Sequence, residues 1–164
     1  MRPLIDKASI SINKDRKFIL TLHNDKKHQQ KLSNSEIKKL SDLAKFYRVK
    51  EDISVTKQLD ELNEKVNVFP ASLILAQAIL ESAWGTSRFA VEGNNFFGQH
   101  CFSKGCGLSA RGDNKVRVAK FPTVFDSVKS YYKNLNTGNS YKKLRRLRAD
   151  EIELIKTMDS IDLT

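Results

Sequence analysis

Two residues about one helical turn apart, Glu81 and Trp84, hold the clearest prospect of chemistry. They lie in FPASLILAQAILESAWGTSRFAVEGNNFFG, residues 69–98. The residues before them are almost uncharged, so Glu81 is predicted to end an apolar helix. Partial burial disfavours a carboxylate, and so does the negative end of a helix dipole; both raise its pKa. A carboxylic acid that keeps its proton near neutral pH can donate it to a leaving group. Trp84 offers an apolar wall for that acid or a platform for a sugar ring, and the pair suits cleavage of a glycosidic bond. A solvated glutamate in a last helical turn has the same spacing, so the surrounding sequence has to decide.

The helix that would carry Glu81 has Pro70 in its first turn, where the missing N–H costs nothing. Leu73, Gln77, Leu80 and Trp84 share one stripe, with Ile74 and Ala78 beside it. It is apolar nearly all round and is predicted to be central to the core, with Gly85 as its stop. Upstream, Ser33 and Glu36 form a capping box, followed by a face of Ile37, Leu40, Ala44 and Tyr47. A second amphipathic helix is predicted from about Thr56 to Asn67, with Leu59, Leu62 and Val66 on one face. Residues 1 to about 32 are polar and lysine-rich, and their apolar run FILTL is too short to assign by period.

Downstream, an irregular region from 93 to 112 contains Gly93, Gly98, Gly105, Gly107 and Gly112. KVRVAKF, residues 115–121, alternates like a strand and is ended by Pro122. A helix is predicted from about Asp126, with Phe125, Val128, Tyr131, Tyr132 and Leu135 at helical spacing. NTGNS reads as a turn, and the tail as helix in two pieces joined near residues 148–150. The sum is a mainly helical α+β protein with a small β region.

The chain has 29 Lys+Arg against 19 Asp+Glu, a formal charge of +10. Its partners are therefore expected to be anionic: nucleic acid, a membrane surface, or an acidic polymer such as cell wall. The runs DKKH and YKKLRRLR fit solvated helix faces. No RNA-binding, zinc-finger or helix-turn-helix signature accompanies them, so nucleic acid is not the expected partner. No apolar run reaches the ~20 residues of a membrane span, so the chain is not expected to be transmembrane. MRPLIDKASISINKDRK has no apolar h-region, so the chain is expected to be cytosolic or a processed form. A nucleophile elbow, a Walker loop and a dinucleotide fingerprint are all missing.

ILAQAILESAWGTSRFAVEGNNFFGQHCFSKGCGL, with FDSVKSYYKNLNTGNSYKKLRRLRA, resembles the bacterial peptidoglycan glucosaminidases of glycoside hydrolase family 73. The match is closest to the Bax-like branch and covers roughly residues 66–149. Its motif pairs a helix ending A-x-x-E-S-x-W-G-T-S with E-G-N-N-x-F-G. The resemblance implies a lysozyme-like fold and hydrolysis of the β-1,4 bond between N-acetylglucosamine and N-acetylmuramic acid. It implies Glu81 as general acid, and Trp84, Asn95, Phe97, Gly98 and Gln99 as residues shaping the cleft floor. Tyr131, Asn134 and Leu135 match the family's Y-x-x-N-L helix, Tyr131 as a substrate contact or a packing residue. It divides the chain into a helical extension over residues 1–65 and a glucosaminidase domain over 66–164.

Two departures stand out. Many family members carry a second carboxylate in the β region, and here that region offers only Asp113, between Gly112 and Asn114 as in a turn. The branch's Y-S-x-x-G-x-x-Y segment has no counterpart before Thr164, so the domain is expected to be incomplete at its C-terminus. A lysozyme-like module that grips glycan strands without cutting them is the alternative this leaves open. No cofactor is expected, and no metal. Peptidoglycan glycan strands and anionic cell-wall polymers are the expected partners, which places the chain in the periplasm or cell envelope.

In HCFSKGC, Cys101 and Cys106 have four residues between them. In a chain destined for the periplasm they read as a disulfide stiffening the lip of the cleft. A zinc site with His100 lacks a fourth ligand nearby, and free thiols are the option for a cytosolic chain.

Overall fold

The computed structural model describes residues 1–27, 31–103, 105–110 and 113–161, without the side chains of residues 27, 110, 113–115 and 152–161. Its helices are α1 (Arg2–Lys27), α2 (Asn34–Phe46), α3 (Val55–Lys65), α4 (Ala71–Glu81), α5 (Arg88–Gly93), α6 (Val124–Thr137) and α7 (Lys142–Ile161). Strands β1 (Leu108–Ala110) and β2 (Asp113–Val118) form one small antiparallel sheet. These are the elements of a lysozyme-like α+β fold.

The chain forms two compact units, each built from segments distant in sequence. Met1–Ile10 joins Phe69–Tyr132 in the first, and Ser11–Val68 joins Lys133–Thr164 in the second. Helices α1 and α6 each contribute to both.

In the first unit, Ile5 and Ala8 of α1, Ile74 and Ala78 of α4, Phe97, Val118, and Val128, Tyr131 and Tyr132 of α6 are buried. Ser9 Oγ and Tyr132 Oη share a hydrogen bond of 3.0 Å, so the buried phenol keeps a partner. In the sheet Leu108 pairs with Val118 and Ser109 with Arg117, and the register shifts between Ser109 and Ala110. On its other side β2 bridges His100 through Val118. Residues 99–101 thus run antiparallel to it: Cys101 N–H donates to Arg117 O, and Ala119 N–H to Gln99 O.

The second unit is helical. Ser33 caps α2 in the expected box, its hydroxyl accepting from Glu36 N–H while the Glu36 side chain returns to Ser33 N–H. Ser54 caps α3. Leu40, Leu43, Ala44, Leu59, Leu62 and Val66 are buried, whereas Ile37, placed on the same face by sequence, is half exposed.

Three arginines seal the carbonyl ends of two helices there. Arg148 Nη1 donates to Asn67 O and Asn136 Oδ1, and its Nη2 to Glu64 O and Lys65 O. Arg16 Nη1 donates to Asn63 O and Val66 O. Arg145 Nη1 donates to Leu135 O and Gly138 O. A helix C-terminus leaves carbonyls without intrahelical partners and carries negative partial charge, so a guanidinium fork suits it twice over.

Helix α1 is not legible by period. Its buried positions, Ile5, Ala8, Ile12, Ile19 and Leu22, form a sparse stripe in which Asp15 and Arg16 occupy the missing turn. Helix α5 and strand β1 also carry no clear pattern in the sequence, and the tail is one helix instead of two pieces.

Candidate active site

Helix α4 starts after Pro70 and ends at Glu81, earlier than the expected stop at Gly85. Only Ile74 and Ala78 are buried along it, and Leu80 is exposed, so α4 is not the core-central helix its composition suggests. Its last turn instead flanks a cavity and an exposed turn.

That turn is built on Ser82, which is 1% exposed. The Ser82 hydroxyl donates to Ala78 O at 2.5 Å and accepts from Gly85 N–H at 2.7 Å. Ser82 O accepts from Gly85 N–H and Ser87 N–H, Trp84 N–H donates to Ile79 O, and Thr86 donates twice to Ala83 O. Three successive residues take left-handed backbone: Ala83 (φ 49°), Trp84 (φ 60°) and Gly85 (φ 81°). For the two non-glycine residues this conformation costs roughly 1–2 kcal/mol each. It persists only where neighbouring bonds over-determine it. The consequence is local: Trp84 leaves the helical stripe and stands 81% exposed.

Glu81 is also exposed, contrary to the partial burial expected of it. The helix ends at this residue, and the chain turns away from the carboxylate before any apolar wall closes over it. What lies beside it is Gly98 (φ +60°): a Cβ there would stand 3.2 Å from Glu81 Oε2. Gly98 is thus required twice, by its backbone angle and by the approach of the acid.

The residues that bracket Gly98 hold it in place. Asn95 is 1% exposed; its Nδ2 donates to Gln99 O and Ala119 O, and its Oδ1 accepts from Phe97 N–H and Gln99 N–H. Phe97 is buried and stacks on Tyr131 with ring centroids 4.2 Å apart. Gln99 reaches α6, donating to Ser127 O and accepting from Ser130 Oγ. The side chains of Asn95, Phe97, Gln99 and Tyr131 serve the fold of this loop, whereas Glu81 and Trp84 are exposed. Ser82 organises this turn, a role that its place in the motif does not reveal. Its signal is a small hydroxyl between an acid and a Trp-Gly pair, where a helix must end abruptly.

Cys101 and Cys106 form a disulfide with Cα atoms 6.2 Å apart, so the pair has no thiolate to offer zinc. Gly107 (φ +55°) lies against it: a Cβ there would stand 2.0 Å from Val118 O and 2.9 Å from Cys101 Sγ. Arg117 donates to Cys106 O and Gly107 O, and Arg88 to Ser109 O. Glu92, on α5, is exposed and 3.5 Å from Arg88. Asp113 opens β2, and its side chain lies outside the described residues.

Beside the turn is an open cavity of about 120 Å³, lined by Met1, Leu75, Ala78, Ile79, Ser82, Trp84, Gly85 and Phe96. Its walls are mainly apolar. No helix among the described residues is long and apolar enough to cross a membrane.

Residues 56–160 match the glucosaminidase family profile, described as mannosyl-glycoprotein endo-beta-N-acetylglucosaminidase. The chain belongs to this family. Two relatives frame its place among the glucosaminidases. Protein bax of Escherichia coli strain K12 is 34% identical over 149 residues, 90% of this chain and 52% of that protein. Exo-glucosaminidase LytG of Bacillus subtilis strain 168 is 34% identical over 91 residues, 50% of this chain and 32% of LytG. The chain therefore spans about half the length of the first relative and about a third of the second. The longer alignment puts it in the Bax-like branch of the glucosaminidases. No solved structure matches it significantly.

Proposed function

We propose that this glucosaminidase-family chain hydrolyses the β-1,4 bond between N-acetylglucosamine and N-acetylmuramic acid in peptidoglycan, with Glu81 as general acid. The observation that carries this reading is the Glu81 carboxylate lying open against Gly98 at the end of α4, with Trp84 displayed beyond it. A sugar ring stacked on Trp84 would lie at the end of α4 that carries Glu81, the proton donor of this reading. The proton then passes to the glycosidic oxygen, the leaving sugar departs as an alcohol, and water adds at the anomeric carbon, releasing the proton that restores the acid. Asp113 is the candidate second carboxylate. Asn95, Phe97, Gln99 and Tyr131 act by holding the floor beneath the acid. Membership of the glucosaminidase family and a disulfide in a short loop both support work outside the cytoplasm. The net charge of +10 favours adhesion to anionic wall polymers.

Digestion of purified peptidoglycan, with released ends identified by mass spectrometry, tests the proposal. The unaltered chain is expected to release fragments ending in reducing N-acetylglucosamine. Glu81→Gln is expected to lower the rate by about 10²–10⁴-fold, with folding stability within about 0.5 kcal/mol because the side chain is exposed. Glycan bound by both forms and cut by neither would establish the non-catalytic glycan-binding reading instead. Whether fragments come from chain ends or interiors separates an exo from an endo mode.

A further inference from the structure

Among the described residues, the most exposed large apolar side chain is Phe102, at 95%. A single exposed apolar residue is ordinary on a protein surface. What distinguishes Phe102 is how firmly its short loop is held. The Cys101–Cys106 disulfide closes the loop around it. Cys106 N–H donates to Ser103 O within the loop. Gly107 lets the closing backbone pass against Cys101 Sγ and Val118 O, where a Cβ would collide. Arg117 grips the carbonyls of Cys106 and Gly107. These devices hold the two ends of the loop, and Phe102 and Ser103 next to its first cysteine are exposed.

The arm that carries Phe102 starts at the acid. Gly98 lies against the Glu81 carboxylate, and residues 99–101 run extended along β2. Four residues of extended chain span up to about 13 Å, so the arm carries Phe102 along β2 and away from Gly98. An aromatic face and the C–H face of a pyranose ring are complementary apolar surfaces. We propose that Phe102 is a second, remote sugar platform that makes the site prefer long glycan strands over short ones. The proposal rests on the glucosaminidase reading for its ligand. Binding energy gained far from the scissile bond is a recognised means of favouring a long substrate.

Binding is measured first in the Glu81→Gln background, so that cleavage does not intrude. Glu81→Gln and Glu81→Gln/Phe102→Ala are titrated calorimetrically with soluble peptidoglycan strands of defined length. Removal of Phe102 is expected to weaken binding of long strands by roughly tenfold and to leave disaccharide binding unchanged; Phe102→Trp is expected to restore it. In the active chain, Phe102→Ala is expected to raise KM for long strands with kcat unchanged. Replacing both cysteines by serine is expected to reproduce part of the loss with Phe102 still present. Equal affinity of the two proteins at every strand length overturns the proposal, as does failure of both to bind glycan. If long-strand binding falls with Phe102→Ala while the unaltered chain cleaves nothing, the platform stands and the hydrolase reading fails. Normal cleavage with no dependence on Phe102 overturns the platform and leaves the hydrolase reading standing.

Discussion

The turn after α4 and the clamped ends of α3 and α6 manage polar groups in opposite ways. At the turn, the ionisable group is left outside and the strain is kept within. Glu81 and Trp84 are exposed, while the buried Ser82 hydroxyl secures left-handed backbone at Ala83 and Trp84. At the helix ends, the charge itself is buried. Arg145 and Arg148 are 3% and 7% exposed and donate mainly to backbone carbonyls. Burial, with Arg16 and Arg145 nearby and Glu64 opposing, brings Arg148 down to about 10, so it is still a cation at neutral pH. One region leaves an acid and an aromatic ring exposed; the other uses charge to hold helix ends. Stability and activity should therefore be separable by mutation.

The largest stability effect should come from Arg148→Met. It removes the donor from three carbonyls and from Asn136 Oδ1. Asn67 O keeps the Asn136 amide and Lys65 O keeps Asn67 N–H, so Glu64 O and Asn136 Oδ1 are the acceptors that lose their donor. At about 1–3 kcal/mol for each, partly relieved by water and by loss of a desolvated charge, the net cost is about 2–4 kcal/mol. Urea unfolding measures it, and a cost below about 1 kcal/mol would erase the contrast between the two regions. Ser82→Ala should come next, at about 1–2 kcal/mol for a buried hydroxyl bonded twice. Its distinguishing sign is functional: peptidoglycan cleavage is expected to fall several-fold under conditions where the variant is fully folded, as Trp84 loses its fixed stance. Cleavage unchanged beside a measurable loss of stability would show that the turn only supports the fold.

Legibility follows the range of the interactions. The capping box at Ser33 and the helices α2, α3 and α6 rest on neighbours within a few residues, and their patterns predict them closely. The motif from Glu81 to Gly98 locates the candidate acid for the same reason. The arginine clamps are invisible, because YKKLRRLR reads as a solvated run until the carbonyls of residues 64–67 meet it. Chain order cannot join Met1–Ile10 to Phe69–Tyr132 either. Nor can composition show that Asn95, placed by motif among cleft residues, turns its amide onto Gln99 O and Ala119 O. The exposure of Glu81 is hidden in the sequence because an apolar helix suggests a buried last turn, whereas left-handed residues immediately afterwards swing the chain away.

The smallest effect sharpens the comparison from the acidic side. Asp15, in the second unit, accepts from Tyr47 Oη at 3.0 Å. Burial raises the pKa of Asp15 above 3.8, with the bond from Tyr47 and the charge of Lys39 opposing. A carboxylate with a raised folded-state pKa binds its proton more tightly when folded. Its contribution to stability is therefore fully present below pH 3.8 and is lost as the pH climbs through the folded value. Asp15→Asn keeps an acceptor for Tyr47 and cannot ionise. The variant should lose this part of the pH dependence, with stability at about pH 7 equal to or slightly above that of the unaltered chain. Glu36 and Asp126, both lowered by hydrogen bonds, have the opposite sense: their stabilisation is present above about pH 4.5 and is lost on acidification. Subtracting the two unfolding profiles between about pH 3 and 7 cancels those shared contributions and isolates Asp15. A difference that is flat across this range would mean that the half-buried carboxylate carries no net penalty, and that the arginine clamps alone set the second unit apart from the turn that displays Glu81.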